Sequence, residues 1–492
     1  MPHPMPEHPR ANVDGVLVSV DHFINGQRVS SPRTFEDRSP LAWTRLLAHV
    51  SRGDATIADL AVTAAANAFE EWAALGPVGR GPLLRRLADL IDANIQPLAT
   101  VECADMAMLH ESLRLRVLAR GARNFRAYAD MAEAYNERVW SSNGTINRVQ
   151  RHPAGPVAVI TPWNAPFMLS TWKCAPALAA GNTVILKPAE WSPLSCSMLA
   201  DLAHEAGIPA GVFNVVQGIG EEIGAALVAD PRLRRVSFTG SPATARHIGV
   251  AAARNLVPFT AELGGKGPFI VFDDADVDAA AKKAAGQFDD SGQVCLAGTR
   301  LLVQDSIRDQ FMERFHHYTD QHVLGDSHDA ATTISPMIHP EHLANVGAFV
   351  DRARANGDSV LRGGRIWRDG GLWYEPTLIE PLTNNSEIVQ NEVFGPVLTL
   401  QTFATDAQAF ALANSTAYGL SAIVYTSSAS RAERAGRSIR AGTIWTNCFL
   451  VRDLTAPFGG SGISGIGREG GDYALDFNSD LITFQVVEGS TR

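Results

Sequence analysis

From Gly155 onward, short β-branched segments alternate with segments of helical character, and this alternation constrains the fold more than any other feature. The first series is PVAVITP, TVILKP, VFNVV and RRVSFTG, with helical stretches around Ala175–Ala180, Leu194–Ala206 and Ile223–Val228 between them. Strands that alternate with helices in this way predict a parallel sheet covered on both faces. A second series, GPFIVF, TRLLVQ, PVLTLQTF, SAIVYT and GTIWTN, predicts a second α/β unit of similar build.

Helical periodicity dominates the chain before this alternation. Residues 57–134 are rich in Ala, Leu, Arg and Glu, and Leu83, Leu84, Leu87 and Leu90 fall at helical spacing. Such a stripe indicates a helical layer packed on a core. A chain of 492 residues is too long for one simple core, so more than one domain is expected. The C-terminal LITFQVV predicts an edge strand added to another element or to another subunit.

The charge balance and the cysteine pattern argue against several classes of protein. The 42 Lys and Arg residues against 52 Asp and Glu residues leave a net charge of −10, which argues against nucleic acid as a partner. No apolar segment is long enough to span a bilayer, and the first fourteen residues, MPHPMPEHPRANVD, lack the apolar region of a signal peptide. The cysteines are odd in number, scattered and without CxxC spacing, which predicts no disulfide framework, no metal site and a reducing cytoplasmic location: Cys103, Cys174, Cys196, Cys295 and Cys448.

Polar segments punctuated by Pro or Gly follow three strands of the first series. They are TPWN (161–164), KPAE (187–190) and TGS (239–241). Ligands of parallel sheets collect at the carboxyl ends of the strands, so these segments are expected to share one site.

The same segments offer a seat for a dinucleotide. Gly240-Ser241 opens a helix, and the free N–H groups of a helix N-terminus suit a pyrophosphate. Lys187 and Glu190 could hold ribose hydroxyls, and a carboxylate there would repel a 2′-phosphate. The usual GxGxxG fingerprint is missing, since the segment 218–224 has one residue too many between its second and third glycines.

Three residues could carry chemistry at a carbonyl group. Cys295 lies in the turn-like segment DDSGQVCLAGTR and could be a nucleophile, although a lone cysteine is more often a small buried hydrophobe. Glu262, which precedes two glycines, is a candidate base, with a solvated surface glutamate as the alternative. Asn164 could donate a hydrogen bond to an oxyanion, although Asn also favours turns.

The segments TPWN, KPAE, FTGS, ELGGK, GQVC, NEVFGPV and PFGG…SGIGREGG follow one another as in the aldehyde dehydrogenase superfamily, which the chain resembles from about Phe23 to its C-terminus. The resemblance implies NAD(P)+-dependent oxidation of an aldehyde to an acid. Cys295 would attack the aldehyde to give a thiohemiacetal, whose oxyanion Asn164 and the Cys295 backbone N–H would hold. Hydride transfer would leave a thioester, and Glu262 would activate the water that hydrolyses it. Relatives that pass the acyl group to coenzyme A generally lack this glutamate, so a free acid is expected.

The resemblance also implies a cofactor site. Glu392 resembles the residue that holds the nicotinamide ribose, with Phe394 beside the ring, while Lys187 and Glu190 resemble the ligands of the adenosine ribose. Glu190 favours NAD, although NADP is compatible with it. The remaining contacts are expected at Thr161, Pro162, Trp163, Gly220, Gly240, Ser241 and Leu263.

The implied fold is an α/β, aldehyde dehydrogenase-like one with two doubly wound open-sheet domains and a small β oligomerisation flap. The expected boundaries are 1–133 and 153–261 for the dinucleotide-binding domain, 262–470 for the catalytic domain, and 134–152 and 471–492 for the flap. A homodimer or homotetramer is expected. One residue departs from the family pattern: Gly462 stands where a lysine is usual, and altered loop geometry is expected there.

Within the superfamily, TPWNAPFMLSTWKCAPALAAGNTVILKPAEWSP and VRDLTAPFGG look most like the branch that oxidises hydroxymuconic semialdehydes and similar acidic semialdehydes. Arginines of that branch, here Arg120 and Arg452, help to hold the substrate carboxylate, a task that suits the planar guanidinium group. The alternative for Arg452 is a structural salt bridge with Asp453. The other expected lining is apolar, so neutral aromatic, terpenoid or aliphatic aldehydes are the rival substrates: Phe167, Met168, Trp172, Val294, Leu296, Phe449 and Phe458.

Two functions of other classes remain open at this point. A non-catalytic structural relative would be expected to have lost the nucleophile or the base, whereas Cys295, Glu262 and Asn164 are all present. Ester hydrolysis by Cys295 would need no hydride acceptor, so a requirement for NAD+ separates it from aldehyde oxidation.

Overall fold

The computed structural model describes residues 9–368 and 370–489. Its strands are β1 (Arg10–Val13), β2 (Val16–Ser19), β3 (His22–Ile24), β4 (Gln27–Val29), β5 (Thr34–Arg38), β6 (Leu46–Ser51), β7 (Arg138–Ser142), β8 (Thr145–Pro153), β9 (Pro156–Ile160), β10 (Thr183–Lys187), β11 (Phe213–Val215), β12 (Arg235–Thr239), β13 (Phe259–Glu262), β14 (Pro268–Val271), β15 (Arg300–Gln304), β16 (Ser359–Arg362), β17 (Thr377–Glu380), β18 (Val397–Phe403), β19 (Ser421–Tyr425), β20 (Thr443–Thr446), β21 (Gly465–Ile466) and β22 (Ser479–Val487). Its α-helices are α1 (Ala55–Ala74), α2 (Gly76–Ala93), α3 (Ile95–Met106), α4 (His110–Ser112), α5 (Leu118–Glu133), α6 (Pro166–Ala179), α7 (Leu194–Glu205), α8 (Ala225–Val228), α9 (Pro242–Arg254), α10 (Val277–Ala285), α11 (Arg308–Thr319), α12 (Pro340–Ala355), α13 (Glu387–Gln390), α14 (Asp406–Ala413), α15 (Ala429–Ser438) and α16 (Gly471–Phe477).

The first α/β series forms an eight-stranded sheet in the order β21-β13-β12-β9-β10-β11-β3-β4. Its central strands β9 and β10 are buried along their whole length, which is why they consist almost entirely of apolar residues. The four strands predicted from the sequence are confirmed. The sheet continues further than predicted, because VPFTAEL contributes β13 and the glycine-rich C-terminal segment contributes β21 at its edge.

The second series forms a seven-stranded sheet in the order β16-β17-β18-β15-β14-β19-β20. All five predicted strands are present, and every pairing except β16 with β17 is parallel. β16 and β17, which extend one edge of this sheet, were not predicted from the sequence. Two α/β sheets therefore confirm the predicted fold class.

The predicted helical layer between residues 57 and 134 consists of α1 to α5, and Leu84 and Leu87 of its stripe are in the core beside the first sheet. Side-chain caps fix where several helices begin. Asp54 accepts hydrogen bonds from the first turn of α1, and Ser241, which precedes Pro242, accepts one from the backbone of Thr244 in α9. None of the helices in the described part of the chain has the length and apolar character needed to cross a membrane.

The last strand pairs within the chain. β22 runs antiparallel to β8 over nine residue pairs, and β7 completes a three-stranded sheet. The predicted combination of the VWSSNGTINRVQR segment with the final strand is thus confirmed, whereas the exact domain boundaries and the role of the flap in assembly stay predictions. Gly462 has a φ of 61°, and a Cβ there would meet the carbonyl oxygen of Ala417, so a lysine could not occupy this backbone without rearrangement.

Candidate active site

Parallel strands bring the predicted segments to one edge of the eight-stranded sheet. Glu262 ends β13 opposite Thr239 of β12, while Lys187 ends β10 and Asn164 follows β9. Cys295 reaches the same place from the turn before β15 of the other sheet, as the contact of Asn164 with that turn shows. The residues predicted to carry the chemistry therefore lie where the two sheets meet.

Cys295 is partly exposed and lies in a turn of closely approaching backbone. A Cβ on Gly265 would collide with the Cys295 carbonyl oxygen, so the glycine in ELGGK permits this approach. Burial, followed by the charges of Glu392 and Glu262, raises the pKa of the thiol to about 12, while Arg452 acts in the opposite direction. The thiol is therefore protonated at neutral pH in this state and needs a base before it can attack.

Asn164 is half-buried and contacts the turn that carries Cys295 (residues 292–296), called the nucleophile turn below. Its Nδ2 donates to the carbonyl oxygen of Gln293 over 2.9 Å, and the Gln293 side chain in turn accepts from the backbone N–H of Ile338 over 3.0 Å. Gln293 precedes Cys295 by two residues, so this hydrogen bond ties the Asn164 amide to the segment that carries the cysteine. A neutral donor in this place can serve an oxyanion that develops near the sulfur.

Glu262 is buried, and neither of its carboxylate oxygens has a hydrogen-bond partner among the described residues. An ideal Cβ on Gly459 would lie 2.9 Å from Oε1, so the absence of a side chain there leaves room for the carboxyl group. Burial and then the charge of Glu469 raise the pKa of Glu262 well above its usual value. A buried carboxyl group with a raised pKa can act as a base near neutral pH.

Lys173 and Glu469 lie beside Glu262, and neither was predicted from the sequence. Lys173 Nζ lies 2.5 Å from Glu469 Oε1, which also accepts from the hydroxyl of Ser237 over 3.2 Å. The indole N–H of Trp172 donates to Glu469 Oε2 over 2.7 Å. The available signal was a lysine in the apolar segment FMLSTWKCAPALA, because a buried ammonium group requires a partner.

Two arginines adjoin this cluster without a carboxylate partner in the described structure. The Cζ atoms of Arg120 and Arg452 each lie 5.4 Å from the ring centroid of Trp172. Burial and then the neighbouring Arg452 charge lower the pKa of Arg120 to about 10. The alternative salt bridge of Arg452 with Asp453 does not form, since Asp453 accepts hydrogen bonds from Thr455 instead.

The apolar residues expected around the substrate have different environments. Phe167 is fully buried and packs against Gly121 of α5, so it supports the packing of α6 on α5. Phe458 lies under Arg452, with 3.7 Å between its ring centroid and the guanidinium carbon. Residues from the nucleophile turn and from the segment after β20 pack in one cluster with Cys295 and Phe458: Val294, Leu296 and Phe449. Met168 packs against the core of the first sheet instead.

The end of β10 presents a lysine and a carboxylate together. Lys187 Nζ lies 2.9 Å from Glu190 Oε2. Burial favours the protonated form of Glu190, but the charge of Lys187, its hydrogen bond and backbone N–H groups that include that of Gly220 outweigh it and lower the pKa. An ideal Cβ on Gly220 would lie 3.8 Å from Lys187 Nζ, so these three predicted residues do come together.

The neighbouring predicted residues present mainly backbone. The side chain of Thr161 is buried and shares a hydrogen bond of 2.9 Å with Ser170, while Pro162 is half-buried after β9. Gly240 donates its N–H to the carbonyl of Glu262, and the backbone N–H of buried Leu263 donates to Ser464. Ser241 caps α9, whose N-terminus offers N–H groups to an anion. This donor set fits the pyrophosphate and ribose of a dinucleotide.

The last group of predicted residues lies across the site. Glu392 Oε1 accepts from the backbone N–H of Gly265 over 2.8 Å, and burial raises the pKa of Glu392 to about 7. The Trp163 and Phe394 rings meet edge to face, with centroids 5.4 Å apart. No group of three or more His, Cys, Asp or Glu side chains in the described ranges is arranged to hold a metal ion.

Known proteins of one family resemble the chain in sequence and in fold. The aldehyde dehydrogenase family model matches residues 28–483. The chain is 38% identical to the 2-hydroxymuconic semialdehyde dehydrogenase of Pseudomonas sp. (strain CF600), over 94% of this chain and 99% of the relative. It is 37% identical to a betaine aldehyde dehydrogenase of Cereibacter sphaeroides (strain ATCC 17029 / ATH 2.4.9), over 96% and 98% of the two chains. The solved indole-3-acetaldehyde dehydrogenase AldA of P. syringae, in complex with NAD+ and IAA, superposes with a TM-score of 0.94 at 36% identity, covering 96% and 98% of the chains.

Proposed function

The chain belongs to the aldehyde dehydrogenase family, and from this premise we propose that it oxidises an aldehyde bearing a carboxylate, such as 2-hydroxymuconic semialdehyde, to the corresponding acid with NAD+. The observation that carries the substrate proposal is the pair Arg120 and Arg452, which adjoin one indole ring without a carboxylate partner in the described structure. A reaction of this class belongs in the breakdown of aromatic compounds, and the cytoplasm suits the five free cysteines.

Each reacting residue has one task in this proposal. The Cys295 sulfur attacks the aldehyde carbon after Glu262, directly or through water, takes its proton. The Asn164 amide and the Cys295 backbone N–H hold the oxyanion of the thiohemiacetal. Bound NAD+ supplies the acceptor for the hydride that leaves the aldehyde carbon. Glu262 then releases the thiol proton to solvent and deprotonates the water that attacks the thioester; the C–S bond breaks, the acid leaves, and the Cys295 thiolate regains a proton from Glu262.

The residues at the strand ends would hold the cofactor. Lys187 and Glu190 suit the adenosine ribose, the N-terminus of α9 at Ser241 suits the pyrophosphate, and Glu392 suits the nicotinamide ribose. Glu190 stays ionised because Lys187 lies beside it, and its charge disfavours a 2′-phosphate. We therefore propose NAD+ as the preferred cofactor over NADP+.

The arginine pair explains the choice of an acidic substrate. Burial, followed by the charge of Arg452, lowers the pKa of Arg120, and a carboxylate bound by both partly buried arginines would offset that cost. Arg452 also interacts with the charges of Glu262 and Cys295, so a group that it binds lies close to the reacting sulfur. On this proposal the substrate carries its carboxylate a few bonds from its aldehyde.

Neutral aromatic aldehydes are the second candidate class. Trp172, Phe449 and Phe458 offer rings around the same place, and one solved neighbour is an indole-3-acetaldehyde dehydrogenase. On this alternative the arginines would stack on aromatic surfaces and contribute no ionic contact.

The test is NADH formation followed by absorbance, with 2-hydroxymuconic semialdehyde, benzaldehyde, a terpenoid aldehyde and a straight-chain aldehyde. Arg452→Ala should reduce kcat/KM for the acidic substrate by roughly 100-fold and change the value for benzaldehyde little, because a buried charge pair is worth about 3 kcal/mol. Arg123→Ala, on the exposed side of α5, is the matched control, and Cys295→Ala should form no NADH. Preference of the wild type for neutral aldehydes would refute the acidic substrate.

Assembly through the flap is part of the proposal. β7 and β22 expose large apolar side chains on this small sheet: Val139, Trp140, Leu481, Ile482, Phe484 and Val487. Exposed apolar groups concentrated in this way favour association with a second copy of the chain. We propose a homodimer or a homotetramer.

A further inference from the structure

Phe394, the residue proposed to lie beside the nicotinamide, has a strained backbone. Its φ of 55° lies in the left-handed region, which a bulky side chain adopts at a cost of about 1–3 kcal/mol. The following residue, Gly395, is pressed between two elements: a Cβ there would lie 2.7 Å from Val346 of α12, and its carbonyl oxygen abuts Gly292 of the nucleophile turn. Something must hold this turn in its unfavourable conformation.

His342, in the first turn of α12, supplies the contact that does so. Its Nε2 lies 2.8 Å from the carbonyl oxygen of Phe394. A carbonyl oxygen only accepts, so Nε2 carries the proton and donates. The imidazole also contacts the ring of Trp163, with centroids 5.5 Å apart, and Trp163 packs edge to face on Phe394. Each of the three rings therefore contacts the other two.

The position of α12 is itself fixed from the opposite end of the cofactor site. His339 caps the helix by accepting from the backbone N–H of His342 over 3.1 Å. Its ring stacks on Trp191, with centroids 4.1 Å apart, and Trp191 directly follows Glu190. Burial lowers the pKa of both histidines, that of His339 to about 4, so the contacts are those of neutral rings over the physiological range.

We propose that His342 is a positioning residue for NAD+. Its hydrogen bond to the Phe394 carbonyl fixes the conformation of the Glu392–Phe394 turn. Its contact with His339, which stacks on Trp191, fixes the position of that turn relative to the end of β10. The inference rests on the proposed function insofar as NAD+ is the cofactor. It concerns the affinity and placement of the cofactor, and Cys295 chemistry that needs no cofactor should not depend on it.

The experiment compares His342→Leu with His342→Gln, because glutamine can still donate to the Phe394 carbonyl. His342→Leu should raise the Kd for NAD+, measured by tryptophan fluorescence without aldehyde, by about tenfold, as expected for a lost buried hydrogen bond. His342→Gln should recover most of the affinity. His322→Leu is the matched control, since His322 Nε2 bonds the carbonyl of Ala285 over 3.0 Å outside the site.

Hydrolysis of 4-nitrophenyl acetate by Cys295, assayed without NAD+, separates positioning from folding. The expected result is an unchanged ester rate in His342→Leu with a raised Kd and KM for NAD+. An unchanged Kd for NAD+, or equal losses of ester hydrolysis and NAD+ affinity in both His342 variants, would overturn the proposal. A wild-type protein that bound no NAD+ would instead refute the proposed function, and this inference with it.

Discussion

The protonated state of Cys295 allows a direct test of the site's electrostatics. Its thiol pKa is raised from an ordinary 9.0 to about 12, a difference of about 4 kcal/mol against the thiolate. At a pH near 8 the thiolate fraction is then roughly 1,000-fold smaller than for an unperturbed thiol. A thiolate of higher pKa is more nucleophilic, which offsets this loss by about 20-fold. Cys295 should therefore react with a disulfide reagent roughly 50-fold more slowly than an unperturbed thiol.

The assay follows labelling of the Cys295 peptide by mass spectrometry, which separates it from Cys448, the other partly exposed cysteine. In the cofactor-free protein the rate should increase tenfold per pH unit from about pH 6 to about pH 10 without a plateau. Removing the Glu392 charge with Glu392→Gln should speed labelling, and removing the Arg452 charge with Arg452→Ala should slow it, each by roughly tenfold where both groups are ionised. A plateau below about pH 9, or shifts of the two variants in the same direction, would refute the reasoning.

Three further perturbations follow from the structure. Glu469→Gln leaves the buried Lys173 without its carboxylate partner, so denaturant titration should show a free energy of unfolding lower by about 3–5 kcal/mol. The double variant Glu469→Gln/Lys173→Met should recover much of this loss, and an equal loss in the single and double variants would contradict the reasoning. Burial lowers the pKa of His22 from 6.5 to about 4, so its stabilising contribution is complete above the unfolded value and is lost as pH falls from 6.5 toward 4. The free energy of unfolding should fall by about 3 kcal/mol over this range in the wild type and should not fall in His22→Asn. The same fall in the variant would show that the acid sensitivity arises from other groups. Phe484→Asp on the flap should convert oligomers to monomers in analytical ultracentrifugation, whereas a charge reversal at the exposed Arg437 of α15 should not; unchanged assembly in the first variant would exclude the flap as the interface.

Local sequence predicts the strands and the segments that follow them, because a buried parallel strand requires an unbroken apolar run and its end requires turn residues. β9, β10 and β12 show this clearly, and with them Asn164 and Lys187 fall on the same sheet edge. The edge strand β21 is two residues long and glycine-containing, so no periodicity could reveal it.

The buried charge cluster shows why part of the site could not be predicted. Lys173 and Glu469 are 296 residues apart, and the position of one carries no local signal for the other. Asp453 is adjacent to Arg452 in the chain but forms no salt bridge with it. Its carboxylate accepts hydrogen bonds from the backbone N–H and the hydroxyl of Thr455 instead. Proximity in sequence is a poor guide to ion pairing where short-range backbone hydrogen bonds compete.

The pairing of β21 with β13 has a consequence for the order in which the enzyme acquires activity during synthesis. Glu262 leaves the ribosome some two hundred residues before Gly465, its antiparallel partner, and before Glu469, which neutralises Lys173. Until the final segment emerges, the nascent first sheet has an open edge at the very residue proposed as base, and a lysine in its core lacks a counterion. We therefore expect the surroundings of Glu262 and Lys173 to be completed late in synthesis, once β21 and Glu469 have joined the first sheet.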